Sequence, residues 1–128
     1  MVVYMETYKE FIKRKDKEFK QKSLIPMKDI GRKGKKFFQR EAWTFMPQYN
    51  LQEKVFVIER LKKISYEGKL THPKVFKKGA IEYRIGYYMI GKNGNMKGKW
   101  VWGQFCPLIP QQDLNKLLLK AKKEKTIL

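Results

Sequence analysis

The chain has 128 residues, of which 42% are hydrophobic and 14% aromatic, so it can build one packed core and is too short for two ordinary domains. One cysteine, Cys106, excludes an intramolecular disulfide, and one histidine, His72, excludes a zinc site built from Cys and His. Thirty Lys and Arg against twelve Asp and Glu leave a formal charge of +18, which favours a polyanionic partner.

The positive charge extends over the whole chain. Residues 1–65 carry seventeen cations and eight anions, and residues 66–128 carry thirteen and four. Twenty-five of the cations are Lys and five are Arg, a skew that compositional bias alone can produce. Such bias usually raises Glu together with Lys, whereas acids are scarce in both halves here. The charge therefore favours a nucleic-acid partner over composition alone.

The first predicted element is an amphipathic basic helix within residues 1–22. Tyr8, Phe11, Ile12 and Phe19 recur at helical spacing among lysines, and Glu10 lies four residues before Arg14. The start of the chain lacks the charge and hydropathy pattern of a signal peptide, and no apolar stretch is long enough to span a membrane. We therefore expect a cytoplasmic protein without a membrane partner.

Residues 23–40 are predicted to form a basic arm. Pro26, Gly31 and Gly34 interrupt regular structure, and cations crowd into the second half of the segment. A flexible cationic segment that ends in two phenylalanines is suited to follow a phosphate backbone and to stack on a base. A solvated loop that leads into the next core segment explains the same residues. The candidate nucleic-acid-binding residues here are Arg32, Lys33, Lys35, Lys36 and Arg40.

Residues 41–128 are predicted to form the core of the single domain 1–128. Alternation places Trp43 and Phe45 on one face of a short strand before Pro47. Apolar spacing from Leu51 to Ile64 or Ser65 predicts a helix in a segment that ends near Gly68, although its β-branched residues leave a strand as the alternative. Residues 111–123 are predicted to form a packing helix after the prolines at 107 and 110.

The clearest predicted unit is a β-hairpin over about residues 81–106. Asn93 and Gly94 fit the two central positions of a type I′ turn, which would place Tyr88 opposite Lys99 and Ile85 opposite Trp102. That register separates an uncharged face from a face that mixes cations with aromatics. We expect the mixed face to bind nucleic acid through phosphate contacts and base stacking, with cover by a helix or a protein partner as the alternative. Its candidate residues are Arg84, Tyr88, Lys97 and Lys99.

These elements predict an α+β domain in which a small antiparallel sheet, centred on the Asn-Gly hairpin, packs against two or three amphipathic helices. The predicted function is binding of DNA or RNA, single- or double-stranded, without a metal or cofactor. A small metal-dependent nuclease is the alternative, based on an E-x-K spacing that arises readily by chance in a Lys-rich chain. Its candidate catalytic residues are Glu59, Glu67, Lys69, His72 and Glu82. A protein-interaction subunit of a larger assembly is the second alternative.

Overall fold

The computed structural model of the chain describes residues 5–31 and 33–128, which form a five-stranded antiparallel sheet and two α-helices. The elements in chain order are α1 (Tyr8–Gln21), β1 (Leu24–Lys28), β2 (Gly34–Gln48), β3 (Leu51–Gly68), β4 (Ile81–Ile90), β5 (Trp100–Trp102) and α2 (Gln111–Lys123). The strand order in the sheet follows the chain order. The predicted α+β class, with an antiparallel sheet packed against helices, is confirmed.

Helix α1 begins at a capping box and buries one apolar face. The Thr7 hydroxyl accepts a hydrogen bond from the Glu10 amide, and the Glu10 carboxylate accepts one from the Thr7 amide. Phe11 and Phe19 are buried against the sheet, where the Phe11 ring stacks on that of Trp100 with centroids 4.5 Å apart. Local capping and amphipathic spacing thus explain why this helix forms where the sequence predicts it.

Helix α2 has the predicted bounds and packs through Leu117 and Ala121. The buried Asp113 in its first turn accepts a hydrogen bond of 3.1 Å from the Tyr49 amide, which ties the helix to the turn between β2 and β3. Neither helix in the described part of the chain has the length and apolar character needed to cross a membrane.

The helix predicted from Leu51 to near Gly68 is wrong, because these residues form strand β3. Val55 and Val57 belong to the core under α1, whereas Phe56 and Ile58 belong to the core under α2. Alternate residues of a strand point to opposite faces, so the two helices cover opposite faces of the sheet. A strand covered on both faces has a continuous apolar run, which also fits a helical period.

The predicted basic arm is part of the sheet. Strand β1 pairs with the first half of β2, with Ile25 opposite Phe38 and Met27 opposite Lys36. Backbone hydrogen bonds join Ser23 to Arg40 and Asp29 to Gly34 at the two ends of this strand pair. Because hydrogen-bonded and non-hydrogen-bonded pairs alternate along an antiparallel ladder, the backbone nitrogen of Pro26 faces away from β2. A proline there removes no ladder hydrogen bond and protects the outer edge of the sheet.

The predicted hairpin joins β4 and β5, but its turn and register differ from the prediction. Asn93 has φ −135°, whereas a type I′ turn needs positive φ at both central residues, and residues 91–99 form a longer connection. Trp100 therefore pairs with Ile90 instead of Tyr87. This shift of three residues is odd, so it moves Trp100 and Trp102 to the face covered by α1.

Two glycines allow aromatic rings to cross between β4 and β5. A Cβ added to Gly86 would overlap the Trp102 ring, and a Cβ added to Gly103 would overlap the Tyr87 ring. The rings thus cover bare backbone on opposite faces of the strand pair. This packing positions Trp102 beside Tyr88, with ring centroids 5.0 Å apart.

Candidate nucleic-acid interface

A buried charge cluster occupies the face of the sheet next to α1. Glu59 is fully buried, and its two carboxylate oxygens accept hydrogen bonds from Arg40 and Arg84. The Arg40 guanidinium lies 3.5 Å from the ring centroid of Phe19, and that of Arg84 lies 4.9 Å from the ring centroid of Trp102. Register explains the cluster, because Arg84 lies directly opposite Glu59 in the neighbouring strand.

Tyr88 lies within the same core and not on an exposed binding face. It is 7% exposed, and burial, with a smaller contribution from Glu59, raises the pKa of its hydroxyl to about 12. The side chain of Arg40 is 10% exposed and that of Arg84 is 30% exposed. Of these three predicted ligand contacts, Arg84 is thus the one that solvent reaches appreciably.

Each of the four arginines in the described ranges is paired with a carboxylate. Arg14 contacts Glu6 and Glu18, Arg60 contacts Glu41, and the other two share Glu59. Planar guanidinium groups suit such bidentate or shared pairs better than lysines do. The arginines are therefore part of the fold, and the cations available to a polyanion are mainly lysines.

The predicted lysine contacts separate into two groups at opposite ends of the sheet. Lys33 and Lys35 lie where β2 begins, opposite Glu67 of β3, whereas Lys97 and Lys99 lie in the connection after β4. The first group lies near Glu67 of β3, and the second lies near Lys54, which pairs with Met89 at the end of β4. At about 3.3 Å per residue, the distance along β3 from Lys54 to Glu67 is roughly 45 Å. They do not form one site.

Exposed lysines cluster at the end of the sheet near Lys33, which we call the basic end. It comprises four exposed lysines: Lys28, Lys33, Lys35 and Lys69. Three of them line a shallow groove of about 250 Å³ together with Gly34, Glu67 and Gly68. Lys36 also lies here, but it is half-buried and pairs with Asp29 at 3.3 Å. Arg32, another predicted contact, lies outside the described residues.

A buried carboxylate holds the two basic segments together. Asp29 accepts a hydrogen bond from the Thr71 amide, and the Thr71 hydroxyl accepts one of 3.2 Å from the Gly31 amide. The hydrogen bond from the Thr71 amide to the Asp29 carboxylate is the main reason that the pKa of Asp29 is lowered to about 2. We call this set of contacts the Asp29 latch. It ties Asp29 and Gly31, which follow β1, to Thr71 in the segment that carries Lys69.

Two aromatic side chains lie at the same end of the sheet, on the face opposite to Lys28 and Lys35. Tyr66, in the row next to the groove, is 47% exposed, and its ring contacts that of Phe76 with centroids 5.1 Å apart. Phe76 belongs to the connection between β3 and β4, which also carries three exposed lysines: Lys74, Lys77 and Lys78. An accessible aromatic ring therefore lies near the basic end, on the sheet face opposite to Lys28 and Lys35.

The candidate nuclease residues do not converge. Glu59 and Glu67 are roughly 25 Å apart along β3, and Glu59 is already bound by two arginines. Glu82 pairs with Lys63 at 2.9 Å, and Lys69 and His72 are exposed on the following connection. In residues 5–31 and 33–128 no group of three or more His, Cys, Asp or Glu side chains is placed to hold a metal ion.

Sequence reasoning missed the latch residues, Asp29 and Thr71. The available signal was that Asp29 is the lone acid among the cations of residues 28–40. Thr71 carried no signal, because its role depends on a contact 42 residues away in the chain.

No family model, curated protein or solved structure matches this chain. Its function therefore has to be inferred from its own geometry and charge.

Proposed function

We propose that this protein binds nucleic acid through the basic end of its sheet. The observation that carries the proposal is the cluster of four exposed lysines, Lys28, Lys33, Lys35 and Lys69. Lys28 and Lys35 lie opposite each other on paired strands, and Lys69 lies two residues before Thr71 of the Asp29 latch. Lysines on a fixed scaffold bind phosphates with less loss of conformational entropy than lysines on a flexible arm. The predicted contacts Lys33 and Lys35 belong to this surface.

The balance of charge at the basic end supports this proposal. Asp29 is buried and neutralised by Lys36, so Glu67 is the acid that remains exposed in the groove. Four phosphate contacts should lower affinity between 50 and 200 mM salt by roughly 50-fold for a single strand and roughly 150-fold for a duplex. A steep salt dependence is therefore the first expected property.

A comparison of charge-matched variants tests the location. The triple variant K33Q/K35Q/K69Q removes three charges from the basic end, and K116Q/K122Q/K123Q removes three from exposed positions on α2. Affinity is measured by fluorescence anisotropy with labelled oligonucleotides from 50 to 200 mM salt. For the first variant, affinity at 100 mM salt should fall about ten-fold or more, and affinity should depend less steeply on salt concentration than for the wild type. The second variant should lose less than about three-fold.

Two results would contradict the proposal. Equal weakening by both triple variants would mean that nucleic acid responds to the total charge of the protein and not to this surface. Absence of binding by the wild-type protein at 50 mM salt would remove the function altogether. K97Q/K99Q, at the opposite end of the sheet, measures whether the predicted hairpin contacts contribute.

A further inference from the structure

A second feature adjoins the basic end: part of one sheet face that neither helix covers. Strand alternation and register place on this face a row across four strands, formed by Leu24, Gln39, Lys62 and Ile81. The next rows toward the basic end contain Pro26 and Phe37, then Lys28 and Lys35. We call these eight residues the open sheet surface.

The open sheet surface shares its face with α2 but lies beyond the part that α2 covers. Lys62 alternates with Ile58 and Phe56, which are buried against Leu117 and Ala121 of that helix. Leu24 is 49% exposed and Ile81 is 36% exposed. Phe37 is half-buried and pairs with Pro26 on one side and with Ser65 on the other, neither of which carries a long side chain. Apolar groups and one aromatic ring are thus accessible on this surface.

Charge argues against a second copy of this chain as the occupant. Three lysines, Lys28, Lys35 and Lys62, lie on the open sheet surface, and a chain of net charge +18 would bring like charges together there. Lys28 and Lys35 also line the groove of the basic end. The two surfaces are therefore continuous, and the apolar rows lie next to the lysines that would bind a polyanion.

The dimensions of the open sheet surface favour an unpaired strand. The row of Leu24, Gln39, Lys62 and Ile81 crosses four strands about 4.8 Å apart and spans roughly 14 Å before side chains are added, which exceeds the roughly 12 Å width of the major groove of DNA. This row is therefore too wide to enter a duplex groove. Unstacked bases, in contrast, can lie on an exposed sheet and stack on an aromatic ring while lysines contact the phosphates.

We propose that the ligand of the basic end is single-stranded nucleic acid, and that its unpaired bases lie on the open sheet surface with Phe37 as the stacking residue. This inference rests on the proposed function. It adds that the nucleic acid is single-stranded and that its bases contact a particular surface. The lysine cluster by itself determines neither.

The test compares a labelled single strand with a hairpin duplex of similar length, in DNA and in RNA, at 100 mM salt. The wild-type protein should bind the single strand at least about ten-fold more tightly. F37L keeps the apolar contact and removes the aromatic ring, and should weaken single-strand binding by about five-fold while leaving duplex binding unchanged. F105L changes an aromatic residue that is 81% exposed near the other sheet edge, and should change neither. Thermal melting verifies that both variants fold.

The outcomes separate the two proposals. Equal affinity for single strand and duplex, with both lost in K33Q/K35Q/K69Q, would overturn the single-strand inference and leave the proposed function standing. An F37L variant that binds the single strand like the wild type would overturn the role of the open sheet surface. Failure of the wild type to bind any probe at 50 mM salt would overturn both. A dimer in sedimentation experiments that F37L disrupts would assign the surface to self-association instead.

Discussion

Replacing Glu59 with Gln tests whether the buried charge cluster serves the fold. The Glu59 carboxylate is fully buried and holds Arg40 at 3.0 Å on one oxygen and Arg84 on the other. Glutamine has nearly the same shape, but it carries no charge and presents an NH₂ group to one of the two guanidinium groups. One hydrogen bond is therefore lost, and the other becomes a bond to a neutral acceptor.

The expected cost follows from these contacts. Losing one charge-assisted hydrogen bond removes about 1.5 to 3 kcal/mol, and converting the other to a neutral bond removes about 1 kcal/mol. The sum, about 3 kcal/mol, lies at the lower end of the 3 to 5 kcal/mol typical for breaking a buried ion pair, as expected because Arg84 is partly exposed. For a chain of this length, this corresponds to a fall in Tm of about 10 to 15 °C.

Thermal and urea unfolding of E59Q and E53Q measures the effect. Glu53 pairs with Lys92 at 2.7 Å on the surface, so E53Q changes the net charge equally and should cost less than about 1 kcal/mol. An E59Q protein within about 1 kcal/mol of the wild type would refute the reasoning. The two variants should also bind nucleic acid equally. A selective gain for E59Q would show that freed Arg84 contacts phosphate.

Two further substitutions test the latch and the crossed aromatic rings. D29N should destabilise the protein by an amount that is constant above about pH 4 and vanishes as pH falls toward 2, because the pKa of Asp29 is lowered to about 2 in the folded protein. Denaturant unfolding from pH 2 to 7 measures this loss of stability. A loss that does not depend on pH would contradict the latch. G86A should lower the free energy of unfolding by about 1 to 3 kcal/mol, because the added Cβ overlaps the Trp102 ring. Most of this loss should disappear when Trp102 is also replaced with Ala. A double-mutant cycle with no coupling between the two positions would disprove the overlap.

The helices were predictable because their signals are local. Thr7 and Glu10 form the capping box of α1, and the apolar residues of each helix lie on one face. Strand β3 was not predictable from its period, because Val55 to Ile58 are buried on both sides of the sheet. Which elements cover both sides depends on where α1 and α2 dock, and no short window of sequence contains that information.

The hairpin shows how a correct element can carry a wrong register. The aromatic and β-branched residues of β4 predict a strand, and the structure has a strand there. The Asn-Gly pair, however, lies inside a longer connection, and the three-residue shift reverses the face of Trp100 and Trp102. The packing of Phe11 on Trp100 and of Trp102 on Gly86 stabilises the observed register. Both contacts join residues distant in the chain.

The sequence by itself determined the charge of +18, the two helices and the presence of an antiparallel strand pair, because these depend on composition, capping and short-range periodicity. The tertiary structure decided which cations remain available. It paired Arg40 and Arg84 with Glu59 in the core and left Lys33 and Lys35 exposed at an end that Asp29 ties to Thr71. Burial and ion pairing depend on contacts across the sheet, so residues of equal charge in the sequence have different roles in the fold.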